Sequence, residues 1–464
     1  GIKQSRWVGR GGRALRARYF DNWYFSYLLF NVANALISPL EVLYCRAEFN
    51  ASMGEIGLLT ASYYITLVPA TFLWGVLLDK IGRRREIVAG MLFFVSICLY
   101  LVALADSVLK FVIINLLAGL GIAGLGPSAT LIIVEQNEPK MWTNKISTFN
   151  FVASIGTVLG MISASIFLIS TSVVVNSVEN VNFLFQFTSG LTFLGSVLAF
   201  VFIRNDIKNM KRRYPEFVII LYDRVVEKRR YLPFMLYHLI YGEHVHRIGV
   251  SKKERLPSNL LMFYFGILTL YIGFAAFHAL LPIYLNEQIS LSQGSVFIVY
   301  SANAIATLIS YKIAGILIMK HGGKAWMISA NVVRGLVYLI MGFEAIITSI
   351  FAFNVFEVTT LYALSGVFWA FVSISGSTIV NSLSPSKIRG KAVGIFGAVI
   401  GLGNLTGSFL GGLLADRLGI LGIFQFSAFL IFVGIFIVWF AVPGREDAVF
   451  EKLEKENAVA FIDF

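Results

Sequence analysis

Gly75-Val-Leu-Leu-Asp-Lys-Ile-Gly-Arg-Arg-Arg-Glu86 (GVLLDKIGRRRE) closes a long apolar run with an aspartate and then four bases. Arginines and lysines at such a place hold the end of a segment at a membrane surface. A carboxylate there costs energy unless it is hydrated or paired. The bases therefore read as the end of a membrane-crossing segment, and Asp79 asks for a partner.

The rest of the chain agrees with that reading. Its 464 residues are 57% hydrophobic and only 14% charged, against about 25% charged in soluble domains. Mean hydropathy is +0.77. A helix needs roughly 20 apolar residues to cross a bilayer. Such runs lie near 22–44, 56–78, 87–105, 109–134, 146–171, 181–203, 259–283, 293–318, 325–343, 358–381, 392–415 and 419–441. The stretch 344–357 (EAIITSIFAFNVFE) is also apolar and leaves the count open between eight and fourteen. The first run exceeds the roughly 7–15-residue core of a cleavable signal and is expected to be retained.

The net charge is +12. Its distribution argues for membrane topology, not for nucleic acid. Arg46, Lys110 and Arg417 fall in the segments of one side, and Lys312 and Arg334 inside runs. Every other Lys and Arg lies on the segments that alternate with the N-terminal one. Bases are retained in the cytoplasm, so both termini are expected there, in the cell membrane. The expected domains are a basic N-terminal segment 1–21, a six-helix bundle 22–203, a basic cytoplasmic linker 204–258, a second bundle 259–441 and a tail 442–464. The linker holds two apolar pieces, 217–222 and 231–241, too short to span. They read as interfacial helices whose basic flanks meet anionic headgroups. His238, His244 and His246 lie there without a cysteine or carboxylate pair, so no metal is expected. Nor do Cys45 and Cys98, on different runs, signal a metal or a disulfide.

The second half echoes the first. Gly315-Ile-Leu-Ile-Met-Lys-His-Gly-Gly-Lys324 aligns with the opening stretch at an offset of 240, with Met319 in place of Asp79. Gly156-x-x-x-Gly160 returns as Gly403-x-x-x-Gly407. Two related six-helix halves are a transporter's repeat pattern. GVLLDKIGRRR resembles the loop 2–3 signature of the major facilitator superfamily, Gly-x-Leu-x-Asp-Arg/Lys-x-Gly-Arg-Arg/Lys. Lys387-Ile-Arg-Gly-Lys391, before the eleventh run, fits as well. The resemblance covers about 22–441.

It implies an all-α membrane protein of twelve transmembrane helices in two related six-helix bundles, moving a small solute by alternating access. It also implies a cytoplasmic gate in which Asp79 meets the start of helix eleven, near Arg389, while Lys80, Arg83, Arg84 and Glu135 add charged contacts. Gly75 and Gly82 would permit close approach. For Arg84 and Arg85 the competing reading is a topology anchor.

Helical spacing sorts the embedded polar residues. In the first run Tyr27, Asn31, Asn34, Ser38 and Glu41 share one face. The resemblance places that helix on the central cavity, so the stripe is the first choice for substrate contact. Further cavity candidates are Asn150 and Ser154 in helix five, Tyr271 and His278 in helix seven, Asn303 and Thr307 in helix eight, Trp369 in helix ten and Asn404 in helix eleven. For each Ser, Thr or Asn the competing reading is an interhelical hydrogen bond. Lys312 lies off the polar stripe of its run. Arg334 falls on helix nine, which the family places at the periphery. Both are expected to snorkel or to pair, with Glu344 and Glu357 as partners.

Departures from the family bear on coupling. Helix four carries Asn115 where many proton-coupled members have arginine, and Gly160 is followed by Met161 where drug–proton antiporters have proline. No Asp or Glu sits at a helix centre. Glu41 and His278 are the candidates for coupling to a proton or other ion, and facilitated diffusion stays open. No HExxH, paired acids or GxxxxGK[ST] appears, so neither an enzyme nor a cofactor is expected. A transporter-like receptor is the competing class. Asn50-Ala-Ser52 is a glycosylation sequon in the first outer loop; Asn404-Leu-Thr406 is another, inside a run.

Overall fold

A computed structural model describes residues 21–80, 83–137, 141–171, 177–204, 256–343, 355–384 and 389–443. The described elements are helices: α1 (Tyr24–Phe49), α2 (Met53–Lys80), α3 (Arg84–Val102), α4 (Val108–Ile122), α5 (Leu125–Gln136), α6 (Trp142–Thr171), α7 (Ser177–Phe202), α8 (Ser258–Ile283), α9 (Gln293–His321), α10 (Gly323–Gly342), α11 (Val355–Leu383) and α12 (Arg389–Ala441). Each of the twelve apolar runs is helical: the run 109–134 covers α4 and α5, and the last two runs share α12. Among the described residues ten helical stretches are long and apolar enough to cross a membrane. Large apolar side chains such as Ile166, Phe265, Ile309, Phe429 and Phe436 stand exposed on the surface. A water-soluble protein would bury them; here they face lipid, and the chain is an integral membrane protein.

One helix boundary departs from the sequence reading and another agrees with it. The run 109–134 is one membrane span made of two helices, α4 and α5. Pro127 has no N–H to return to Ala123, and the ladder breaks there. The runs 392–415 and 419–441 are two helices that meet within α12 without a loop, divided at Gly419, whose φ 72° and ψ 169° are not helical. Only glycine adopts that backbone freely. Local caps are where the residues call for them: Ser52 and Glu55 form a reciprocal capping box at the start of α2, and Ser292 caps α9.

Packing repeats between the halves. In the first, α1 packs on α6 and α7, α2 on α4, and α3 on α7; in the second, α8 packs on α12, α9 on α11, and α10 on α11 and α12. The glycine pairs explain the closest of these contacts. A Cβ at Gly156 or Gly160 would lie 2.6 or 2.4 Å from the carbonyl oxygen of Leu28 or Val32. A Cβ at Gly403 or Gly407 would lie 3.2 or 2.3 Å from that of Leu268 or Ile272. The partners differ by the offset of 240 that relates the two halves of the sequence.

Between the halves α2 meets α12, and α6 meets α9. Gly57 and Gly412 touch backbone to backbone, since a Cβ on Gly412 would stand 2.4 Å from the Gly57 Cα. The Ser165 hydroxyl donates to the Gly294 carbonyl at 3.0 Å. After Pro282, α8 widens into a π-helical turn, Tyr284–Gln288, which brings Glu287 to Arg46 at 2.6 Å. These three contacts lie toward the end of the bundle that carries Arg46, away from the GVLLDKIGRRRE end. The linker 205–255, with its histidines and interfacial helices, lies outside the described residues, as do 344–354 and 444–464.

Candidate functional site: a cavity between the halves

A cavity of about 610 Å³ lies where the two halves face each other. The first half contributes Asn34, Ser38 and Glu41 from α1, Thr60, Tyr63 and Tyr64 from α2, and Asn115 from α4. The second contributes Tyr271, Phe274 and His278 from α8, Asn303 from α9, Arg334 from α10, Ser365 and Trp369 from α11, and Asn404 and Ser408 from α12.

The five-residue stripe on α1 divides. Its last three members face the cavity. Tyr27 is buried against Trp23 and Phe149 and donates to the Leu125 carbonyl at 2.9 Å. Asn31 donates to the Tyr27 carbonyl and lies beside Gly156 of α6. These two are placed as packing within the first half, because α5 and α6 cover the first turns of α1. Asn150 and Ser154 are not on the described cavity wall; the Ser154 hydroxyl donates to the Asn150 carbonyl. Thr307 donates to the Gly366 carbonyl at 3.0 Å, an interhelical bond between α9 and α11. Asn303 lines the cavity while its amide donates to the Tyr362 carbonyl at 2.7 Å.

Glu41 is 6% exposed. One carboxylate oxygen accepts from the Asn115 amide at 2.9 Å, and the other finds no hydrogen-bond partner among the described residues. Asn115 of α4 thus holds the acid of α1. His278 sits between two tyrosines, with Nε2 3.2 Å from the Tyr338 hydroxyl and Nδ1 3.4 Å from that of Tyr362.

Sequence reasoning missed Arg334, Tyr63 and Tyr64. Arg334 is not peripheral. It is 1% exposed, lines the cavity, and stacks over Phe274 and Trp369. Its long side chain crosses from α10 to the cavity between those rings. A lone cation in an apolar run was the available signal. For the tyrosines it was the adjacent pair in the middle of the second run.

The opening motif is described in part. Gly75, Asp79 and Lys80 occupy the end of α2, but their side chains, Gly82 and the Arg389 side chain lie outside the described residues. Arg83 is the residue before α3. Arg84 is 7% exposed and forks onto Glu135, with Nη2 2.7 Å and Nε 3.2 Å from the two carboxylate oxygens. Its Nη1 donates to the Leu78 carbonyl. Three elements of the first half, α2, α3 and α5, are thereby tied together. Arg85 stands over the Phe200 ring at 4.5 Å. Lys145 and Asp21 pair at 2.8 Å on the same side.

The family model of the Major Facilitator Superfamily matches residues 23–245 and 263–462. An uncharacterized MFS-type transporter of Methanocaldococcus jannaschii is 25% identical over 198 residues, 43% of this chain and 48% of its own. The multi-drug resistance efflux pump PmrA of Streptococcus pneumoniae serotype 4 is 30% identical over 175 residues, 38% of this chain and 40% of its own. The chain thus spans less than half the length of these curated relatives. Among solved structures, the inward-open xylose transporter XylE of E. coli superposes with a TM-score of 0.63 at 17% identity, over 94% of this chain and 98% of its own. That likeness is one of fold.

Proposed function

The chain belongs to the major facilitator superfamily, and from that membership we propose that it is a secondary transporter carrying a small solute by alternating access. The observation that carries the proposal is a cavity walled by both halves, with close cross-half contacts among the described residues at the Arg46 end. A rocking motion of two such halves exposes one site to either side in turn. A cavity of about 610 Å³ suits a small organic molecule. Its aromatic side chains, Tyr63, Tyr64, Tyr271, Phe274 and Trp369, suit a solute with a ring or an apolar body.

The asymmetry of Lys and Arg supports an orientation with the Arg46 end outside and both termini in the cytoplasm. The described state is then closed to the outside. The linker 204–258 would lie along anionic headgroups. Asp79 is proposed as the latch of the cytoplasmic gate at the start of α12, stabilised by the partial positive charge of that helix end. Glu41 is the proposed coupling acid, since a buried carboxyl with one oxygen free can take a proton or a substrate donor.

Counterflow in proteoliposomes tests the proposal. Purified protein is preloaded with, in turn, sugars, nucleosides, amino acids, organic anions and organic cations. Saturable exchange of at least one class is expected. Binding without exchange would identify a receptor instead. Once a solute is found, Glu41→Gln is expected to preserve counterflow and remove accumulation driven by a pH gradient; accumulation that persists would place coupling elsewhere.

A further inference from the structure

Among the described residues Arg334 is a buried cation without a counter-ion. Its Nη2 donates to the Tyr338 hydroxyl at 2.8 Å. Nε and Nη1 find no hydrogen-bond partner among the described residues. No ion pair joins it to a carboxylate there, and Glu41, the acid of the same cavity, belongs to the opposite half. The guanidinium carbon lies 4.1 Å from the Phe274 centroid, 4.7 Å from that of Trp369 and 5.8 Å from that of Tyr338. Aromatic faces compensate a cation only in part, and a guanidinium held away from water asks for an anion.

The surroundings fix how that anion is met. Tyr338 and Tyr362 hold His278 between them, so the Tyr338 hydroxyl is anchored and takes one of the two Nη2 hydrogens. The second Nη2 hydrogen, with Nε–H on one side or Nη1–H on the other, forms a fork that matches the two oxygens of an oxyanion.

We propose that the transported solute is an organic oxyanion with an aromatic or apolar body, its acidic group received by Arg334 and its body flanked by Trp369, Tyr271 and Tyr64. This rests on the transporter reading for the cavity's role, but not for binding itself. Carboxylates, sulfonates and phosphate monoesters share the required chemistry.

The test uses the full chain in detergent with benzoate as probe, benzamide as its neutral isostere, benzylamine as its cationic counterpart and sodium sulfate as an inorganic anion. Thermal stabilisation and binding of radiolabelled benzoate are measured. Saturable stabilisation by benzoate alone is expected. Both Arg334→Gln and Arg334→Lys should weaken benzoate about tenfold or more, since lysine keeps the charge and loses the fork. Tyr338→Phe should retain benzoate binding, whereas a merely structural role for Arg334 would lose it. If the Arg334 variants fail to fold, the contrast among the four probes on the unaltered chain decides. Equal stabilisation by benzamide or sulfate, no stabilisation by benzoate, or undiminished benzoate affinity in folded Arg334→Gln would overturn the proposal. Benzoate binding without counterflow would overturn the transporter reading and leave the anion site standing. Counterflow of a neutral solute that Arg334→Gln leaves untouched would overturn the anion site alone.

Discussion

Arg84 and Glu135 show how one residue type serves two roles in a single motif. Arg84 is as basic as its neighbours, but it is buried and bidentate, and it also holds the Leu78 carbonyl. Removing the acid leaves a buried guanidinium short of partners. Glu135→Gln is expected to destabilise the protein by about 1–3 kcal/mol, the lower part of the range reflecting the solvent that reaches Glu135. A lowered melting temperature in detergent checks it; an unchanged one would reduce the pair to a surface contact. Sequence spacing could name both residues but could not join them, because the contact spans 51 positions. At the cavity, spacing found Asn34, Ser38, Glu41, Tyr271, His278, Asn303, Trp369 and Asn404. It included Tyr27 and Asn31 because a stripe on one helix does not reveal where a neighbour begins to cover it. It misplaced Arg334 because position on a peripheral helix says nothing about the reach of a long side chain.

Among elements, the glycine pairs set the closest helix contacts. A side chain at Gly407 would drive into the Ile272 carbonyl, 2.3 Å from the Cβ position. Gly407→Val is therefore expected to cost about 1–3 kcal/mol by overpacking, read as a fall in melting temperature. Gly90, on α3, has nothing within 4 Å of its Cβ position. Gly90→Ala is expected to be neutral or to stabilise by up to about 1 kcal/mol through helix propensity. Equal effects at the two sites would show that packing does not distinguish them. The repeat behind these contacts was legible, because small residues at a spacing of four survive in both halves. The division at Gly419 was read from the runs, and the break between α4 and α5 was not. Hydropathy averages over a window and does not see where a single Pro interrupts the ladder.

For the whole molecule, the twelve runs, the duplicated glycines and the basic asymmetry carried the architecture, since lipid leaves few ways to satisfy a backbone. What could not be read is which end of the bundle is closed in the described state. That depends on cross-half contacts such as Gly57 with Gly412 and Ser165 with Gly294, between residues with no charge or motif to mark them. Alternating access requires these contacts to part and re-form in each cycle. A disulfide between Ser165→Cys and Gly294→Cys, introduced after replacing Cys45 and Cys98 by serine, locks that end shut. Counterflow of the solute identified by the panel is predicted to be normal under reducing conditions, to be abolished on oxidation and to return with dithiothreitol. Exchange that continues unchanged with the cross-link fully formed would contradict alternating access between the two halves.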